Sequence, residues 1–222
     1  MLLTCPGHSP RSGAPRSKAI SRICGAKSPN CGTGVSSSCA ILRFPTPRCA
    51  ALLFETDYAS FIAWRDWGFP DRHVRACFAM GALLSRDGAF LLGVMNAHTA
   101  GAGDIYFPSG VLDPRDVACG GVDFDRNVRR EIAEETGLSL DDVTTDPWLL
   151  VLAPQRVALI KVFRFRKSAA DMRASILDHL QKEALPELSD VHIVRDPSDF
   201  KPRMPPFVRA FLLHFWDCDG ER

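Results

Sequence analysis

The amino-acid sequence predicts an α+β fold, built as an α/β/α sandwich around a mixed sheet, and three observations carry that prediction. Two apolar runs, ACFAMGALL (76–84) and AFLLGVM (89–95), flank SRDG, whose Asp-Gly pair is a strong hairpin-turn signal. Two further apolar runs, WLLVLA (148–153) and VALIKVFRF (157–165), follow a central helical stretch. Strands and helices are interspersed without the regular βαβα alternation of a doubly wound sheet.

Organised sequence begins near Phe54, where Tyr58, Phe61, Ile62 and Trp67 recur at near-helical spacing and Pro70 ends the run. Core packing is the expected role of Trp64, Trp67 and Trp148. After the 76–95 hairpin and a Gly/Ala-rich loop (99–103), DIYFPSG reads as a short strand broken by Pro108. A helix is expected from about Asp123 to Thr136, with Asp123 or Asp125 as its N-cap and Gly137 as its C-cap. Residues 168–184 predict a second helix with Met172, Ile176, Leu177 and Leu180 on one face. DVHIVRD supplies another strand, and 205–216 a final helix with prolines at its start.

With 222 residues, 46% of them apolar, the chain can build one sizeable core. No apolar run reaches the length of a membrane span, and the opening Met-Leu-Leu is too short for a signal-peptide core, so a cytoplasmic protein is expected. Residues 1–48 are rich in Ser, Pro, Gly and Arg and show no periodicity. They are expected to be a disordered basic tail, a targeting segment or the product of a start codon assigned too far upstream, leaving 54–218 as the folded domain. Seven Lys or Arg and no acid fall within residues 1–50, so the remainder is about −6, with 20 basic and 26 acidic residues. An acidic body argues against a nucleic-acid groove on the domain and for a small-molecule substrate. The eight cysteines include no Cys-x-x-Cys pair, so close-pair zinc ligation is unsupported and all are expected to be free thiols.

The helix RREIAEETGL departs from ordinary amphipathic design. At about 100° per residue from Phe124, Val128 and Ile132 fall near 40° and 80°, while Glu131, Glu135 and Glu134 fall near −20°, 20° and −80°. Two carboxylates therefore project within the apolar stripe and a third flanks it. Unpaired charges there would cost several kcal/mol, a penalty that a bound dication removes. Acids at i, i+3 and i+4 suit hard Mg²⁺ or Mn²⁺. The competing description is a solvated Glu-rich face held by pairs such as Arg130 with Glu134.

These residues resemble the Nudix box. Arg130, Glu131, Ile132, Glu134, Glu135, Gly137 and Leu138 fill every fixed position of its second half. The first half is looser: Gly110 takes the leading glycine, Asp116 stands where the family has Glu, and 13 residues separate Asp116 from Arg130 where the family has seven. The box thus carries a six-residue insertion. The resemblance implies a Nudix-type sandwich hydrolysing a small-molecule diphosphate, with Glu131, Glu134, Glu135 and the Gly110 carbonyl holding Mg²⁺ or Mn²⁺. It gives Arg130 the task of orienting the acids and makes Glu131, or a carboxylate outside the box, the proton acceptor. Glu187 is preferred for the latter among Glu183, Glu187 and Asp190. Substrate-contacting residues are unassigned, Asp113 and Asp116 are equally read as supporting acids or turn residues, and His98 is left outside the site. A homodimer stays open. The alternative is a Nudix-fold binding or regulatory module that kept the helix but lost turnover.

Overall fold

A computed structural model of the chain describes residues 2–4, 39–43, 52–71, 73–112, 114–118 and 121–219. In chain order the strands are β1 (Leu2–Thr4), β2 (Cys39–Arg43), β3 (Leu52–Thr56), β4 (Val74–Leu84), β5 (Phe90–Met95), β6 (Ile105–Tyr106), β7 (Val117–Ala118), β8 (Gly121–Val122), β9 (Thr144–Thr145), β10 (Leu149–Ala153), β11 (Arg156–Arg164) and β12 (Leu188–Val194). The helices are α1 (Tyr58–Asp66), α2 (Phe124–Thr136), α3 (Ala169–Leu180) and α4 (Pro206–Asp219).

The sheet is mixed, as expected. β11 runs parallel to β4 over nine residue pairs and antiparallel to β10, while β5 pairs antiparallel with β12, β4 and β6. Alternate side chains point to opposite faces, so each strand feeds two cores. Met80, Leu92, Ala158, Ile160 and Val162 pack against Val208, Phe211 and Leu212 of α4. Ala79, Leu83, Leu91 and Phe163 pack against Val128 and Ile132 of α2 and Met172 and Ile176 of α3. Helices on both faces make the three-layer sandwich.

Two local features set up the site. β4 and β5 pair only at Leu83 with Leu91 and Leu84 with Phe90, beside the SRDG turn, so the strands part beyond it. Into this parting runs the segment after β6, held where the Gly81 amide donates to the Pro108 carbonyl at 3.0 Å. On the same strand α2 approaches closely, because a Cβ at Gly81 would stand 2.4 Å from Ile132 Cδ1. α2 itself begins where the Asp123 side chain accepts from the Arg126 amide, and ends at Gly137 in the left-handed conformation (φ 64°).

Three expectations need correction. The segment read as wholly disordered contributes β1 and β2 to the sheet, β1 beside β10 and β2 between β3 and β4; apart from Leu2–Thr4 and Cys39–Arg43, residues 1–48 lie outside the described ones. Backbone pairing needs no alternation of apolar and polar residues, which is why periodicity missed them. Trp67 is 75% exposed and is not a core residue, since α1 presents no buried residue. Within the insertion, where no strand was expected, Val117–Ala118 pairs antiparallel with Gly121–Val122 as β7 and β8. Cys77 and Cys218 are free thiols, the former buried with its pKa pushed up to about 12.

Candidate active site

The first half of the motif reaches the second through Gly110. A Cβ on Gly110 would stand 1.8 Å from Glu131 Cδ, so the Glu131 carboxylate lies directly on this α-carbon and only glycine leaves room for it. One residue earlier, the Ser109 amide donates to Glu135 Oε1 at 3.1 Å. The turn after β6 is therefore docked on α2 through two of its carboxylates.

Those carboxylates are buried, Glu131 at 9% and Glu135 at 7% exposure. Burial raises the Glu131 pKa to about 7, with Glu134 and Glu187 adding to the rise and Arg130 opposing it. Burial, then the charges of Glu131 and Glu187, holds Glu135 well above the ordinary carboxylate range.

Arg130 distributes its guanidinium over three acids: Nη1 lies 2.5 Å from Glu131 Oε1 and 3.1 Å from Glu134 Oε2, and Nη2 lies 3.2 Å from Asp116 Oδ2. Although burial alone would lower its pKa, these carboxylates raise it. Asp116, 1% exposed, also accepts from Asn127 Nδ2 at 2.9 Å, and that amide reaches the Val111 carbonyl at 3.3 Å. Asp116 ends the turn Pro114–Asp116 and at the same time meets Arg130 and Asn127. Asn127 had no sequence signal, because an Asn early in a helix reads equally well as a solvated residue.

Glu131, Glu134 and Arg130 line an open cleft of about 650 Å³, together with Ser109, Gly110, Glu187 and His98. Glu135 lies beneath them. Glu187 is exposed, but it faces this cleft, and its charge acts on both Glu131 and Glu135. Glu183 pairs instead with His179 at 3.2 Å, and Asp190 with Arg173 at 2.6 Å. His98, set aside on sequence, is in the lining, as are Tyr58, Tyr106 and Leu185. Nothing in their spacing marked them, since they come from four separate segments of chain. Asp113 lies outside the described residues.

The three glutamates are not drawn into one cage. The Glu134 side chain is 60% exposed and bonded to Arg130, and among the described residues no group of three or more His, Cys, Asp or Glu is arranged to hold a metal ion. The donor set nevertheless fits a hard dication. Of the two buried carboxylates, Glu131 is offset by the Arg130 guanidinium, which also serves Glu134 and Asp116, and Glu135 by one backbone amide, and every candidate donor is oxygen.

No family model matches the sequence, and no curated protein matches it. Solved structures of similar arrangement include a Nudix hydrolase from M. smegmatis, RenU, at 11% identity, covering 65% of this chain and 84% of that one with a TM-score of 0.44. The MutT protein from Methanosarcina mazei is 18% identical, covering 66% and 95% with a TM-score of 0.45. The Nudix domain of Shewanella oneidensis NrtR, solved with ADP ribose, is 15% identical, covering 75% and 100% with a TM-score of 0.42.

Proposed function

We propose that this chain is a Nudix-type diphosphohydrolase, dependent on Mg²⁺ or Mn²⁺ and acting on a nucleoside diphosphate derivative or a related small molecule such as coenzyme A. The observation that carries the reading is the docking of Gly110 on Glu131 beside the buried Glu135, which joins the two halves of an interrupted motif in space. Glu131, Glu134, Glu135 and the Gly110 carbonyl are the metal ligands in this reading. When bound, the metal would lower the pKa of coordinated water and neutralise charge on the phosphate oxygens.

The chain's own residues do the rest. Arg130 holds Glu131 and Glu134 at fixed distance, and Asp116 anchors Arg130 from the buried side. Attacking water must lose a proton, and Glu131 and the exposed Glu187, which both line the cleft, are the acceptors in this reading. Tyr58 and Leu185 at the cleft wall offer apolar surface for the organic part of the substrate. No helix among the described residues is long and apolar enough to cross a membrane, and a cytoplasmic location belongs to the same reading.

A second reading, a nucleotide-binding or regulatory module with weak turnover, is favoured by one observation: Glu134 stands in solvent on Arg130 and not with its two neighbours. Purified protein incubated with Mg²⁺ or Mn²⁺ and a panel of dinucleotides, nucleoside diphosphate sugars, coenzyme A and nucleoside triphosphates separates the two. Cleavage of one diphosphate linkage supports the hydrolase. Failure to cleave any of them, with binding retained, supports the module.

A further inference from the structure

Asn127, at the end of the first turn of α2, is fully buried. Its side-chain nitrogen donates to Asp116 Oδ2 at 2.9 Å and to the Val111 carbonyl at 3.3 Å. Both partners are acceptors, so the nitrogen must face them and the side-chain oxygen must face away. That oxygen, Oδ1, is buried and has no hydrogen-bond partner among the described residues. A buried acceptor left unpaired gives up its hydration without return, and an apolar side chain of the same shape would pack there without that loss. Packing therefore does not account for an asparagine at this position, whereas the two bonds it donates do.

Each bond leads to Glu131 by a different route. Val111 follows Gly110, on whose α-carbon the Glu131 carboxylate lies. Asp116 Oδ2 is the same oxygen that meets Arg130 Nη2 at 3.2 Å, and Nη1 of that guanidinium lies 2.5 Å from Glu131 Oε1. Asn127 stands one helical turn before Glu131, so the two side chains share a face of α2. A single side-chain amide thus ties both the turn against Glu131 and the cation beside it to the helix that carries Glu131. The tie also spans the insertion. Asp116 is the last residue before it, and its carbonyl accepts from the Asp123 amide at 2.7 Å, while the backbone amide of Asn127 donates to the Asp123 carbonyl at 3.1 Å.

We propose that Asn127 is a positioning residue: by holding Val111 and Asp116 with one amide, it keeps the Gly110 turn and the Arg130 guanidinium seated on the Glu131 carboxylate. Its effect on turnover rests on the hydrolase reading, whereas its hold on the turn does not. Asn127 does not line the cleft, so it reaches the reaction only through Val111, Asp116 and Arg130. Removing its donors loosens the carboxylates that act on the scissile bond and leaves Tyr58 and Leu185 of the cleft wall in place. The change belongs in kcat and not in KM.

The test is Asn127→Leu in the full chain, which keeps the size of the side chain and removes its donors together with the orphaned oxygen. Amide hydrogen exchange, followed residue by residue by NMR, reports on the turn. The Ser109 amide, bonded to Glu135 Oε1, is expected to exchange about tenfold faster in the variant, the equivalent of one lost hydrogen bond, while the amides of β11 show no such rise. With whichever diphosphate of the panel the wild-type chain cleaves, kcat should fall about tenfold while KM stays within about twofold. Asn127→Ala serves if the leucine variant does not fold. Ser109 exchange that is unchanged, or that rises in step with β11, overturns the positioning role. So does a kcat equal to that of the wild type, or a change confined to KM. A wild-type chain that cleaves no member of the panel defeats the hydrolase reading, and the exchange rates then decide alone whether Asn127 holds the turn.

Discussion

Glu131 and Glu135 sit where an ionised carboxylate is disfavoured, and the sign of their effect on stability follows. Without metal, the folded chain binds their protons more tightly than the unfolded chain does. For Glu131 the stabilisation is complete below the ordinary value of 4.5 and is lost as the pH rises through about 7. Melting temperatures in chelator are therefore expected to fall across that window, and to fall less in Glu131→Gln; a rise across it would contradict the burial argument. Asp87 and Asp125, whose pKa values are lowered, titrate below the window. Glu135→Gln keeps the size of the side chain but removes its charge. If Glu135 is a ligand, turnover should drop by about 100-fold or more with the fold retained. Gly110→Ala places a methyl group on the Glu131 carboxylate, so activity should fall and stability decrease by about 1–3 kcal/mol, read by assay and chemical denaturation.

At the scale of the element, α2 was the most legible part of the chain. Its limits, its Asp123 cap and its Gly137 stop could all be read from residue type, because capping and left-handed geometry are local matters. The left-handed stop is also packed: a Cβ on Gly137 would meet His179 Cγ at 2.5 Å. Gly137→Ala should thus destabilise by about 1–2 kcal/mol in denaturant titration, beyond the cost of the backbone angle alone. Angular bookkeeping along one helix placed Glu131 and Glu135 among apolar residues, and both are buried there. What it could not supply was the conformation of Glu134, which is set by its bond to Arg130. The partners of Asp116 and the approach of Ser109 were equally beyond it, because each depends on a turn from another part of the chain.

Across the whole molecule, the sandwich was readable from the order of apolar runs, whereas the strand neighbours were not. The pairing of β2 with β4 and the parting of β4 from β5 depend on long-range contacts that leave no periodic trace. The cleft inherits that difficulty, since its lining joins α1, the segment after β5, the turn after β6, α2 and the stretch before β12. A ligand bridging these elements should stabilise the fold as a unit. Mg²⁺ at about 100 times its dissociation constant is expected to add about 2.7 kcal/mol at neutral pH, visible as a raised melting temperature. A melting temperature insensitive to Mg²⁺ and Mn²⁺ would argue against metal at the carboxylates.

The hairpin β7–β8 leaves the chain at Asp116 and returns at Asp123, whose amide donates to the Asp116 carbonyl at 2.7 Å. Its two feet touch, so the chain closes at Asp116 and Asp123 across the insertion. Cutting out residues 117–122 should let Asp116 join Asp123 with little rearrangement, giving a shorter chain that still melts cooperatively; a collapse of the fold would show the insertion to be a brace. Distance along the chain and distance in space have here come apart, and a stretch that looks like a broken motif on paper is a closed one in the folded molecule.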